Sequence, residues 1–184
     1  MSLHGRETDR DRIAADLRGG RSVVILGGAG IGKTELWRGV LEALQKQGTP
    51  VCRVVATATT RLIPGGVFAG LIAHAAPSRS ASDRIVATLR ALAAEGETAV
   101  ICVDDAHLLD DESAAAILQH ALSGGRLLLT ARTGEPAPDA VRRFWKDGIA
   151  SVWNVGPLDA EASAALVEEQ VGAPVERLTQ ARLY

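Results

Sequence analysis

Eight consecutive residues, Gly27-Gly28-Ala29-Gly30-Ile31-Gly32-Lys33-Thr34, put four glycines ahead of a lysine and a hydroxyl. They satisfy the pattern G-x-x-x-x-G-K-[ST], and the chemistry that this pattern serves is anion binding. Without β-carbons in the way, backbone N–H groups can converge on phosphate oxygens. The helix that follows aims its positive end at the same anion. Lys33 would reach the β- and γ-phosphates as a point charge, and the Thr34 hydroxyl would ligate Mg²⁺. The expected phosphate contacts are Gly28, Ala29, Gly30, Ile31, Gly32, Lys33, Thr34 and Glu35.

A second cluster ends an apolar run. Ala99–Val103 is followed by Asp104-Asp105 and, two residues on, His107. In an open α/β sheet, ligands bind outside the carboxyl ends of the strands. Asp104 is then placed to hold Mg²⁺ opposite Thr34, directly or through a water. Asp105, next along, is the candidate that polarises a water for attack on the γ-phosphate. His107 admits two readings: a group that orients the phosphate or the aspartates, or a packed polar residue. Asp110, Asp111 and Glu112 read as caps of the next helix, whose N-terminal dipole favours acids. Arg132 follows a third apolar run. Alone it reads as a surface arginine; beside the other two clusters it is a candidate reader of the γ-phosphate, because a bidentate bond to that group is lost on hydrolysis.

These groups need elements to position them. Strand-like runs occur at Ser22–Leu26, Val51–Ala56, Ala99–Val103, Arg126–Thr130 and Ala150–Val155. Helical stretches alternate with them at Lys33–Gln47, Val67–Ala75, Ser82–Ala94, Glu112–Ser123, Asp139–Lys146 and Asp159–Val171. That alternation predicts an α/β fold, a parallel sheet covered on both faces. Gly48-Thr49-Pro50 and Ser123-Gly124-Gly125 end two of the helices, and 78–83 and 133–139 read as loops.

The bulk properties set limits. The chain has 184 residues, 47% of them hydrophobic and 3% aromatic, with a formal net charge of -2. That length suits one domain over 1–184, with a core built from Ala, Val, Leu and Ile. The charge does not call for a nucleic-acid surface. Cys52 and Cys102 fall in strand-like runs without metal-ligand spacing and read as small buried hydrophobes. No apolar run is long enough to span a bilayer, and Met1 to Arg12 has no signal-peptide pattern, so the expectation is a cytoplasmic protein without a membrane partner. His74 and His120 read as packing or surface residues. The abrupt end after a short helical stretch in Ala173–Tyr184 suggests the N-terminal piece of a longer multidomain protein.

Taken together, the motifs resemble the STAND class of signal-transduction ATPases within the AAA-like P-loop proteins. The likeness is greatest to the ATPase domain of large LuxR-type, MalT-like bacterial transcriptional regulators. The segments that carry it are 3–17 (LHGRETDRDRIAADL), 23–36 (VVILGGAGIGKTEL), 100–118 (VICVDDAHLLDDESAAAIL), 126–133 (RLLLTART) and 155–167 (VGPLDAEASAALV), in that family's order. The resemblance implies a three-layer P-loop sandwich with a five-stranded parallel sheet in the order 2-3-4-1-5 and right-handed crossovers. It implies that His4-Gly5-Arg6-Glu7 lies near the adenine, so that Gly5 and Arg6 join the nucleotide contacts. It also implies Asp104 on the metal, Asp105 in the catalytic acidic position and Arg132 as sensor. The activity implied is a slow, Mg²⁺-dependent ATP/ADP switch whose partners are other domains of the same protein, with DNA reached only through a C-terminal domain beyond these residues. The alternatives are an AAA-type motor or loader ATPase, for which Arg142 and Arg143 are the candidate trans arginines, and an interaction scaffold without turnover.

Overall fold

The structure is a computed structural model that describes residues 5–72, 81–94 and 99–171. The chain runs α1 (Glu7–Arg18), β1 (Val23–Gly27), α2 (Lys33–Lys46), β2 (Val51–Val55), α3 (Ala69–Ile72), α4 (Ala81–Ala94), β3 (Val100–Asp104), α5 (Asp111–Leu122), β4 (Arg126–Arg132), α6 (Asp139–Lys146), β5 (Ser151–Asn154) and α7 (Ala160–Val171). All strand pairs are parallel, in the order β2-β3-β4-β1-β5, as the resemblance implies.

The residues explain which strands lie inside. β1, β3 and β4 are nearly unbroken Val, Ile and Leu and are buried on both faces, as central parallel strands must be. β2 and β5 are half-buried or exposed at every position but Val54 and form the edges. One face of the sheet presents Val24, Leu26, Ile101, Val103, Leu127 and Leu129 to Ile85 and Leu89 of α4, Ile117 of α5 and Phe144 of α6. The other presents Val23, Ile25, Val100, Cys102 and Leu128 to Ile13 and Leu17 of α1 and to Trp37, Val40 and Leu44 of α2. The core is aliphatic, with Trp37, Phe68 and Phe144 fully buried within it. Both thiols are free; Cys102 is buried and Cys52 half-buried, as packing residues should be. Among the described residues, no helix is long and apolar enough to cross a membrane.

Four departures from the sequence reading have physical causes. α1 was not anticipated: only Ile13, Ala14 and Leu17 of its twelve residues are buried, so its apolar stripe is thin. The expected helix over Val67–Ala75 instead begins as a 3₁₀ turn, Gly66–Phe68, entered through Gly65 at φ +71°, and becomes helical only at α3. β3 and β4 extend past the apolar runs to include Asp104 and Arg132, because ladder pairing continues to Val55↔Asp104 and Gly27↔Arg132. The exposed-loop reading of 78–83 gives way at Ala81, where α4 starts. His74, 78–80 and the expected helix in 173–184 lie outside the described residues.

Candidate functional site

The ladder puts the carboxyl ends of β1, β3 and β4 side by side, and every candidate group from the phosphate-loop pattern, the acid pair and Arg132 leaves the sheet at that end. A cavity of about 220 Å³ opens there, lined by Gly30, Ile31, Gly32, Lys33, Thr34, Glu35, Asp105 and Arg132. A cavity of about 290 Å³ lies at the opposite end of the sheet, between the loops before β1, β4 and β5. Its one charged lining residue, Arg21, pairs with Asp16 on its own side of the fold, so no set of groups converges there.

The glycine loop runs from Gly27, at the end of β1, into α2. A β-carbon on Gly27 would lie 2.8 Å from the Val155 carbonyl oxygen and 2.9 Å from Ile31 Cγ2, so the strand-to-loop turn tolerates no side chain there. Gly32 has φ +90°, a left-handed conformation that glycine adopts without steric cost, and it hands the chain to α2 with no side-chain cap. The N–H groups of that first turn need a partner from elsewhere.

Lys33, expected to reach the phosphates as a point charge, is held close to its own loop. It is 6% exposed, and its Nζ donates to the Gly28 carbonyl at 2.6 Å. An ammonium has three donors, so two remain for an anion. Burial pulls its pKa below the usual lysine value; Arg132 acts in the same sense, and Asp105 and Asp104 oppose it.

Asp104 is 4% exposed and sits beneath the cavity. Its Oδ1 accepts from Thr130 Oγ1 at 2.6 Å, from the Asp105 N–H at 3.2 Å and from Thr34 Oγ1 at 3.4 Å. None of these bonds falls on Oδ2, so the pair Asp104 and Thr34 keeps capacity for a hard cation. Asp105 has φ +54°, the left-handed conformation otherwise reserved in this chain, among the described residues, for glycine. Its N–H is held by Thr130 Oγ1 at 2.8 Å, and its carboxylate faces the cavity.

Arg132 reaches the cavity rim. Its Nη1 donates to Glu135 Oε1 at 3.0 Å, and its Nε lies 4.0 Å from Asp105 Oδ1. The bond to Glu135 holds its pKa above the usual arginine value. His107 is buried, 1% exposed, between two acids: Nδ1 is 3.8 Å from Asp105 Oδ1 and Nε2 is 3.6 Å from Glu135 Oε2. Burial pushes its pKa below the usual histidine value, with the two carboxylates opposing.

Gly5 and Arg6 do not line the cavity. Arg6 is buried and donates to the carbonyls of Ile31 at 3.0 Å and Gly156 at 2.7 Å, bracing the loop from outside. Gly5 packs against α7, where a β-carbon would lie 2.8 Å from Ala162 Cβ. Gly28 and Ala29 stand in the loop without lining the cavity. Asp110 caps α5, as read, accepting from Ser113 N at 3.0 Å, while Asp111 and Glu112 fill its first turn. Arg142 and Arg143 are paired within or beside α6, with Asp139 and Asp147, each at 2.7 Å. Two functional candidates escaped the sequence reading. Thr130 carried a signal, a hydroxyl closing the apolar run Arg126–Thr130, to which no role was attached; the structure buries it fully. Glu135 carried none, because nothing in a loop sequence shows what it folds back on.

A family model described as an AAA ATPase domain matches residues 2–130. The chain belongs to the AAA ATPase domain family. No curated protein sequence matches it. Among solved structures, it is similar to AMPPCP-bound DnaA from Aquifex aeolicus, with a TM-score of 0.63 and 14% identity over 100% of this chain and 57% of that one. It is similar to Cdc6p from Pyrobaculum aerophilum, with a TM-score of 0.62 and 15% identity over 96% of this chain and 52% of that one. It is also similar to the ORC1 protein of Aeropyrum pernix, solved in complex with DNA, with a TM-score of 0.61 and 14% identity over 93% of this chain and 50% of that one. At such identities the likeness is one of fold: this AAA domain has the P-loop NTPase architecture. The chain spans between 50% and 57% of the length of these relatives.

Proposed function

We propose that this chain binds ATP and ADP with Mg²⁺ and acts as a nucleotide-operated switch with slow hydrolysis. The observation that carries the reading is the start of α2: a helix end without a side-chain cap, opening on a cavity where Lys33, Thr34, Asp105 and Arg132 converge. Amides of Gly28 to Glu35 and the two spare donors of Lys33 bind the phosphates. Thr34 and Asp104 hold the cation, which when bound neutralises charge that develops between the β- and γ-phosphates. Asp105 orients and polarises the attacking water. Arg132 distinguishes triphosphate from diphosphate. Arg6 fixes the loop, with Gly5 packed against α7 beside it, on the side from which the base would approach.

We assign the domain to a signal-responsive, cytoplasmic regulator of the large LuxR type. Support comes from the five sequence segments in that family's order and from the chemistry of a switch, which needs differential affinity between states rather than speed. Its partners in this reading are neighbouring domains, and DNA is met through a separate C-terminal module. A second reading, a motor or loader ATPase, draws support from the fold shared with DnaA, Cdc6p and ORC1.

Calorimetric titration with Mg·ATP tests the core of the proposal. Lys33→Met keeps the buried stem but removes the charge, and should weaken binding about a hundredfold, the worth of a strong charge-assisted hydrogen bond. Equal affinity in the two proteins would overturn the assigned site. ATP-driven assembly with fast turnover would favour the loader. Absence of binding at millimolar Mg·ATP would leave only the scaffold.

A further inference from the structure

Four side chains close a ring at the mouth of the cavity. Glu135 Oε1 accepts from Arg132 Nη1 at 3.0 Å, and Glu135 Oε2 lies 3.6 Å from His107 Nε2. His107 Nδ1 lies 3.8 Å from Asp105 Oδ1, which lies 4.0 Å from Arg132 Nε. One carboxylate, Glu135, therefore straddles an arginine that faces the cavity and a histidine that is buried beside it.

We propose that Glu135 is a positioning residue that stands in for the terminal phosphate on Arg132 and so sets how strongly the site prefers a triphosphate over a diphosphate. The inference rests on the nucleotide reading above and adds to it the residue that competes with the ligand. Three features support it. Arg132 and Glu135 are both half-exposed, so their bond is of the weak, exchangeable kind that a metal-bound phosphate can displace. The geometry gives Glu135 a second donor to accept from: neither ring nitrogen of His107 has a hydrogen-bond partner among the described residues. Burial lowers the pKa of that imidazole against the two opposing carboxylates, which favours its neutral form, and a neutral imidazole still has one N–H to offer a carboxylate. When Arg132 turns to the phosphate, Glu135 closes the remaining distance to His107 Nε2 rather than being left as an unpartnered charge. No bond other than hydrogen bonds and ion pairs changes in this exchange. The loop that carries Glu135 thereby moves with the state of the nucleotide.

The test is a double-mutant cycle on the whole chain, with affinities for Mg·ADP and a non-hydrolysable Mg·ATP analogue measured by calorimetry. Glu135→Gln should raise analogue affinity about threefold, the scale of one exposed ion pair, and leave ADP affinity unchanged. Arg132→Ala should lower the analogue-to-ADP ratio, and adding Glu135→Gln to it should then have no effect. A merely structural role would alter the urea midpoint without moving that ratio. A ratio unaffected by Glu135→Gln but lowered by Arg132→Ala would overturn the inference and leave the nucleotide site standing. A rise that persists in the Arg132→Ala background would assign Glu135 a general charge effect and overturn it too. An unchanged ratio in Arg132→Ala alone would remove the reader and the inference together, and failure of the unmodified chain to bind either nucleotide would overturn the functional reading itself.

Discussion

Two helices of this molecule begin in opposite ways. α5 starts behind Asp110, whose carboxylate accepts from Ser113 N at 3.0 Å, Ser113 Oγ at 2.6 Å and Gly65 N at 3.1 Å. α2 starts behind Gly32, which has no side chain to offer. Both ends carry the partial positive charge of a helix N-terminus. At α5 the protein supplies its own anion and spends its oxygens on the backbone. At α2 the anion must come from outside. A bare end is not by itself diagnostic, because α1 and α6 also lack a side-chain cap. What distinguishes α2 is the set of groups around it: the buried ammonium of Lys33, the Asp104–Thr34 pair, and Asp105 and Arg132 at the rim.

The same contrast separates two acid pairs six residues apart. Asp104-Asp105 ends a strand and faces the cavity; Asp110-Asp111 begins a helix and is absorbed by it. The largest effect that could break the distinction is kinetic. Asp105→Asn should slow single-turnover hydrolysis of Mg·ATP about a hundredfold or more, the usual worth of a positioned base, while Asp111→Asn leaves the rate unchanged. Comparable losses in both variants would erase the distinction.

Next in size is the linkage between ligand and stability. Nucleotide at a hundred times its Kd should raise the unfolding free energy by about 2.7 kcal/mol. Denaturation curves should give that rise in Asp110→Ala as in the unmodified chain, and only about 0.4 kcal/mol in Lys33→Met, whose hundredfold weaker binding leaves it half-saturated at that concentration. Without ligand, Asp110→Ala should cost about 1–2 kcal/mol, because three accepted bonds at a cap are lost. The urea midpoint should fall while calorimetric affinity for Mg·ADP holds.

The smallest effect concerns backbone strain. Asp105 holds φ +54°, where a β-carbon is unfavourable. Asp105→Gly should therefore be more stable than Asp105→Ala by about 1 kcal/mol, although both lose the carboxylate. Equal melting temperatures would mean that the backbone leaves this conformation once the carboxylate is gone, so that the carboxylate's own bonds, and not the surrounding contacts, hold it.

Much of the site was legible because its parts are contiguous. A phosphate loop is eight adjacent residues, and a capped helix start is four. The strands were legible because burial on both faces demands unbroken apolar runs, although their ends were not: pairing with a neighbour carried β3 to Asp104 and β4 to Arg132. α1 was obscured by its charged residues, since a helix that covers an already aliphatic layer needs only a narrow stripe. Thr130 and Glu135 were obscured for a different reason. Thr130 bonds Asp104 across 26 positions, and Glu135 meets His107 only because its loop turns back over the sheet. Arg6 is the extreme case: its partner Gly156 lies 150 positions away.

By itself, the sequence determined the kinds of chemistry on offer: an anion cradle, a carboxylate at a strand end and a cation after another strand. The sheet order came only from a family likeness, since no local pattern encodes which strands become neighbours. The tertiary structure decided which groups meet, by inserting β4 between β1 and β3 so that Thr130 and Arg132 stand beside Asp104, Asp105 and Lys33. Local motifs are fixed by the stereochemistry of adjacent residues, whereas a site assembled from several strands is fixed by how whole faces of the sheet are buried.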